Sequence, residues 1–126
     1  GYKKEGVEVV MNIDKGLKIK ADNVKFRELI DNLVSNAFKY TEKGIISIDA
    51  DSKRIRISDT GIGIPKGDLP NIFERFHRVD RSRSVETGGS GLGLAIAKEI
   101  AEAHGFSLKA ESEYKKGAVF TIALSS

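Results

Sequence analysis

The 126-residue chain has no cysteine. A disulfide framework and a cysteine-ligated zinc site are therefore both excluded, and a reducing compartment is allowed. It has no apolar run of membrane-spanning length and no signal-peptide pattern at its start. It has no internal repeat, no low-complexity linker and no large charge imbalance. The net charge is +3, which by itself indicates no more than a solvated basic face. What remains is 40% hydrophobic and 31% charged, the balance of a globular chain with one closed core. Both ends read as cuts in a longer protein, so residues 1–126 are expected to form a single excised domain.

Along the chain, Val7–Ile13 alternates imperfectly and Leu17–Ala21 cleanly, predicting two strands. Asp22 or Asn23 is suited to cap a helix that runs to Lys39, with Phe26, Leu29, Ile30, Leu33 and Ala37 at helical spacing. Ile45–Ala50 and Arg54–Ser58 predict a hairpin around Asp51-Ser52-Lys53. Asp68–Phe76 predicts a short helix, and Arg78–Gly91 a long loop. A second amphipathic helix is expected over Leu92–His104, stopped by Gly105. Ser107–Glu111 and Ala118–Leu124 predict strands around the turn Lys115-Lys116-Gly117. Helices in two blocks among strands imply an α+β fold, one sheet with helices on one face.

Candidate chemistry sits at four places. Asn32, Asn36 and Lys39 share one face of the first helix, at the border of its apolar stripe. Asparagine competes with the helix backbone for hydrogen bonds, so two on one edge call for a reason. Either the face is solvated, or carboxamide oxygens meet a hard cation and lysine meets a phosphate. Asp59-Thr60-Gly61-Ile62-Gly63-Ile64-Pro65 follows a strand. It is either a plain turn or a place where the backbone closes on a ligand while the aspartate accepts from an exocyclic amine. Gly88 through Leu94 is glycine-rich and enters a helix whose free amides favour phosphate oxygens, without the Lys-Ser/Thr pair of a Walker loop. Phe73 and Phe76 are explained by core packing. Arg75, His77, Arg78, Arg81 and Arg83 form a basic cluster that Asp80 and Glu86 interrupt, which favours phosphate handling over nucleic-acid binding. His104 suits the negative end of a helix. Neither histidine has the context of a phospho-acceptor, and no Ser/His/Asp set or histidine metal cluster is evident.

The order of these pieces is more specific than any one of them. Asn32-Leu33-Val34-Ser35-Asn36-Ala37-Phe38-Lys39-Tyr40-Thr41 resembles the N box of sensor histidine kinases. Asp59 through Ile64 resembles their first glycine box, Ile72-Phe73-Glu74-Arg75-Phe76 their F box, and Gly89-Ser90-Gly91-Leu92-Gly93-Leu94 their second glycine box. The resemblance implies a Bergerat fold, a two-layer α/β sandwich with a mixed, mostly antiparallel sheet and an ATP lid. It implies ATP and Mg2+ as ligands. Asn36 would hold Mg2+, with Asn32 supporting the phosphates and metal shell. Lys39 and Tyr40 would contact phosphate and the neighbouring sugar region. Asp59 would read the adenine amino group, with Gly61, Gly63 and Ile64 forming the adenine floor. Gly89, Gly91, Leu92, Gly93 and Leu94 would wrap the phosphates, and Arg78 would reach the γ-phosphate. Lys39 and Arg78 would be the catalytic cations.

By the same resemblance, this would be the catalytic domain of a two-component protein histidine kinase. Its acceptor histidine would lie on a separate dimerisation domain, with a response regulator downstream. A cytoplasmic domain is implied, monomeric in isolation and homodimeric in the full protein, with membrane anchoring left open. Gyrases, mismatch-repair ATPases and heat-shock chaperones share the fold, but their hydrolytic members carry a glutamate base where this chain has Asn32, which cannot take a proton from water. Glu28 is a further turn away. A protein serine kinase of the anti-sigma-factor type and a non-catalytic nucleotide sensor are the rival readings. Two departures from the family pattern stand out: Phe106 replaces a frequent second glycine after Gly105, and Ala118 follows Gly117 where many relatives carry a hydroxyl residue.

Overall fold

The computed structural model describes residues 5–75 and 93–124. Five strands are present among these: β1 (Val7–Ile13), β2 (Gly44–Ala50), β3 (Arg54–Asp59), β4 (Ser107–Glu113) and β5 (Gly117–Ala123). They form one sheet in the order β1-β2-β3-β5-β4. β1 runs parallel to β2, and the other three pairings are antiparallel. Two helices, α1 (Asn23–Tyr40) and α2 (Gly93–Ala103), pack on each other and on one face of the sheet. The expected α+β sandwich with helices on one face is what forms.

The strand alternation decides which face is covered. Ile46, Ile55, Ile57, Leu108, Phe120 and Ile122 point toward the helices and are buried with Leu29, Leu33, Val34, Ala37, Ala97, Ile100 and Ala101. Helix α1 starts where the sequence says, because Asp22 accepts the Lys25 N–H at 2.9 Å. The β2–β3 turn is closed by Asp51, whose Oδ1 accepts the Lys53 and Arg54 amides at 2.8 and 3.0 Å. Helix α2 ends on Gly105, at φ +77°, with the Phe106 N–H donating to Ala101 O at 2.9 Å. Phe106 is buried and meets Phe26 edge-on with ring centroids 6.4 Å apart. The phenylalanine that departs from the family pattern thus closes the core beneath a glycine stop.

Two expected elements do not form. Leu17–Ala21 is not a strand. Leu17, Ile19 and Ala21 are half-buried while Lys18 and Lys20 are exposed, so the alternation records real one-sided burial. A strand also needs a neighbour to bond, and the place beside β2 is already taken by edge strand β1. Over 68–75, the described part of the expected Asp68–Phe76 helix, there is only a 3-10 turn, Leu69–Asn71. Asn71 N–H bonds Asp68 O and Glu74 N–H bonds Asn71 O, a string of separate turns. Phe76 and the loop expected over 78–91 lie outside the described residues, as does Leu92 at the expected start of α2.

Candidate functional site

One rung of the sheet, read across the covered face, is Val9–Ile46–Asp59–Ala118–Ser112. It places a carboxylate on the face that elsewhere carries aliphatic side chains. Asp59 is only 8% exposed. Burial raises its pKa above the ordinary carboxylate value, and hydrogen bonds from the Gly61 and Ala118 amides partly offset that rise. The Gly61 N–H bond to Oδ1 is 2.9 Å. Two amides leave lone pairs of the carboxylate available to a further donor.

The glycine loop after β3 is held against three neighbours. Ile62 N–H donates to Tyr40 O, the last helical carbonyl of α1, at 3.0 Å. A β-carbon on Gly61 would run into that same carbonyl and lie 2.7 Å from Thr41 Oγ1, so only glycine fits without a shift. Gly63 adopts φ +74°, and a β-carbon there would lie 3.0 Å from Ser112 Oγ. Ser112 Oγ accepts the Ile64 N–H at 2.7 Å and donates to Gly117 O at 2.7 Å. The Lys115 N–H also donates to Ile62 O. The loop is thereby tied to the end of α1 and to the β4–β5 hairpin.

On α1, Asn32, Asn36, Lys39 and Tyr40 are all half-buried, as a face bordering the apolar stripe requires. Asn32 Nδ2 is wholly buried and has no hydrogen-bond partner among the described residues. A buried amide donor without an acceptor is costly, and a ligand oxygen would relieve it. Asn32 Oδ1 lies 3.9 Å from where a β-carbon of Gly93 would be, so the first turn of α2 abuts the asparagine face. The structure therefore brings together the N-box face, the Asp59 loop and the described end of the second glycine box. Leu94 packs against the core from that same turn. Ile64 is buried within the core cluster and contributes to the site as support beneath the loop. Arg78, Gly89, Gly91 and Leu92 lie outside the described residues.

For a magnesium ion, the donor set fits. Asn36 offers a neutral hard oxygen, and Mg2+ ordinarily takes few protein ligands beside phosphate and water. The unpartnered Asn32 amide beside it suits a phosphate oxygen of the same complex.

Other residues have structural employment. Phe73 meets Phe120 edge-on at 6.1 Å, with Lys98 Nζ 4.8 Å from its ring centre. Arg75 pairs with Glu99 at 2.6 Å on the surface. His104 Nδ1 lies 2.8 Å from Ile100 O, and its Nε2 accepts the Asp22 N–H at 3.1 Å. That geometry requires the neutral Nδ1–H tautomer and pins the start of α1 to the end of α2.

Two site-supporting residues were missed in the sequence. Ser112 is polar at an inward-facing position, after Leu108 and Ala110, and that break in the alternation was a usable signal. Thr41, the last residue of the N-box resemblance but given no role there, is fully buried with no partner for Oγ1 among the described residues.

The chain is 42% identical to the sensor histidine kinase WalK of Bacillus subtilis, over 97% of this chain and 21% of the relative. It is 43% identical to the signal transduction histidine-protein kinase ArlS of Staphylococcus aureus, over 86% of this chain and 25% of the relative. The chain thus spans about a fifth to a quarter of the length of these curated relatives. Among solved structures, the mycobacterial sensor histidine kinase MprB superposes with a TM-score of 0.81 at 27% identity, covering 96% of this chain and 84% of that one. The catalytic domain of histidine kinase ThkA gives 0.74 at 26%, covering 96% and 82%. Full-length ShkA, solved in complex with AMPPNP, gives 0.72 at 31%, covering 96% and 27%. Residues 21–126 match the family described as histidine kinase-, DNA gyrase B- and HSP90-like ATPases, and the chain belongs to that family.

Proposed function

We propose that residues 1–126 form one catalytic domain that binds Mg-ATP and donates its γ-phosphate to a histidine on a separate dimerisation domain of the same protein. The observation that carries this reading is the meeting of a half-buried asparagine face, with its unpartnered Asn32 amide, and a buried carboxylate on a glycine loop.

In this reading Asp59 accepts from the adenine amino group. Its desolvated position makes that added donor valuable and discriminates against a base that presents an acceptor there. Gly61 and Gly63 keep the floor free of side chains. Asn32 donates to a phosphate oxygen, and Lys39, Tyr40 and Arg78 face the phosphates and sugar. The amides from Gly89 to Leu94 close over the phosphate chain. Mg2+, held through Asn36, would neutralise phosphate charge. The acceptor imidazole nitrogen forms the new bond to the γ-phosphorus in line as the bond to the bridging oxygen breaks. ADP leaves with that electron pair, and the imidazole proton passes to a base of the acceptor domain. The protein contributes placement and charge. Asn32, standing where a hydrolase needs a general base, favours transfer over hydrolysis.

The wider arrangement follows the relatives. Their length beyond this chain accommodates an acceptor domain, and a response regulator is the downstream recipient. Among the described residues no helix is long and apolar enough to cross a membrane, in keeping with a domain on the cytoplasmic side.

Calorimetric titration with a non-hydrolysable ATP analogue tests the assignment. Asn36→Ala is expected to lose the Mg2+-dependent part of the affinity and keep the metal-free part. An unchanged response to Mg2+ would remove Asn36 from the metal shell.

A further inference from the structure

The face of the sheet away from the helices carries a second feature, distant from the asparagine face. On that face, β5 presents Thr121 and Ala123, both short. Arg54 and Ser107 flank Ala123, and Arg56 and Lys109 flank Thr121. Adjacent strands lie about 4.8 Å apart, so β3 and β4 stand roughly 10 Å from each other across β5. Small residues in the middle strand with long ones on either side make a trough. It encloses about 310 Å³ and is lined by Lys53, Arg54, Ser107, Lys109, Thr121 and Ala123.

Among the described residues, no carboxylate lines this trough. Lys53, Arg54 and Lys109 are exposed, and none forms an ion pair among the described residues. Asp51 accepts the Lys53 and Arg54 amides, and its carboxylate, held below the ordinary value chiefly by those amides, also feels the Arg54 and Lys53 charges from outside the trough lining. Asp49 is opposite Arg56, outside the trough, and accepts from Asn12 at 3.1 Å. Glu111 is opposite Val119, past the last lining residue. The trough is therefore an open cationic channel with two hydroxyls in its floor and wall.

We propose that this trough is a docking surface for an extended acidic polypeptide segment. Its width suits one extended chain. Such a chain presents alternate side chains on one side, about 6.8 Å apart, so carboxylates at every second position face the same cations. Arg54 takes a carboxylate through its planar fork, Lys53 and Lys109 act as point charges, and Ser107 and Thr121 donate to remaining oxygens. Among the described residues, no aromatic side chain lines the trough, so it offers bases no stacking platform. Among the same residues, no apolar side chain larger than alanine lines it, so it offers a bilayer no anchor. The surface is on the opposite side of the sheet from the nucleotide and does not depend on the kinase reading.

The test is fluorescence anisotropy with a labelled peptide of alternating glutamate and serine, titrated with this chain at low and at moderate salt. Saturable binding is expected, weakened at least fivefold by Arg54→Glu with Lys109→Glu, and weakened by salt. Lys18→Glu with Lys20→Glu, an equal charge change ahead of α1, is expected to have less than a twofold effect. Thermal melting of both variants confirms that each remains folded. Absence of saturable binding overturns the proposal, and so does equal weakening by the two charge swaps. Tighter capture of phosphatidylserine vesicles or of oligothymidylate, abolished by the Arg54/Lys109 pair, also overturns it and gives the surface to a membrane or a nucleic acid.

Discussion

Strands β1 and β3 belong to one sheet and share an alternating pattern, yet they do opposite work. In β3, Ile55 and Ile57 are buried beneath the helices, and the strand ends in Asp59 on the same covered face. In β1, Val9, Met11 and Ile13 point to the same side but are 38%, 61% and 48% exposed. The helix layer does not reach far enough to cover them. The centre of the sheet can hold a desolvated carboxylate because the surrounding core fixes the backbone on both sides. The edge has apolar side chains but no such enclosure. Apolar sequence alone therefore does not set a strand's contribution to stability; its place under the second layer does.

That contrast is open to direct attack. The largest effect is expected at Phe120, 2% exposed on β5 beside β3. Phe120→Ala should cost about 3–5 kcal/mol, since the ring's contacts with Phe73 and the aliphatic core collapse only partly. Urea unfolding would measure it, and a loss under about 1 kcal/mol would mean the centre is no better packed than the edge.

A subtler effect is expected at Asp59. Its folded-state pKa is raised above the ordinary 3.8, chiefly by desolvation. Between those two values the native state keeps a proton that the unfolded chain has released. Stability from this group therefore falls as pH rises through that window, and the cost of the buried charge is complete above it. Asp59→Asn removes the charge while its carbonyl oxygen still accepts the Gly61 amide. The ligand-free variant should melt slightly higher than the unsubstituted protein at neutral pH and show a flatter stability profile through the acidic range. Its affinity for ADP and ATP alike should fall roughly tenfold to a hundredfold, the worth of a hydrogen bond to a charged group. Lower stability at neutral pH with unchanged ADP binding would make Asp59 a structural acid and nothing more.

The smallest effect belongs to the edge. Met11→Ser should change unfolding free energy by no more than about 0.5 kcal/mol. A cost near that of Phe120→Ala would show that β1 is covered in solution by something that shields it.

Much of this was legible beforehand, and the failures are instructive. Helix α1 was readable because its cap, its apolar stripe and its polar border all agree over eighteen residues. The hairpin was readable because Asp51 closes its turn locally. Leu17–Ala21 misled because alternation reports the direction of side chains, whereas strand identity depends on a distant neighbour. Asp68–Phe76 misled because spaced phenylalanines suit a helix face as well as a chain of turns. Thr41 was given no role because its burial comes from the close approach of the glycine loop, which no local pattern encodes, whereas Ser112 did break the alternation of β4.

By itself, the amino-acid sequence determined the two helices and the identity of five strands, and it marked the residues proposed to meet a nucleotide. These follow from spacing, capping and side-chain chemistry, which act over a few residues. Only the tertiary structure decided that Asp59 and Ser112 share a rung, that Asn32 approaches Gly93, and that Arg54 and Lys109 flank successive outward-facing positions of β5 from its two sides. Each depends on strand order and register, which are set by burial summed over the whole sheet.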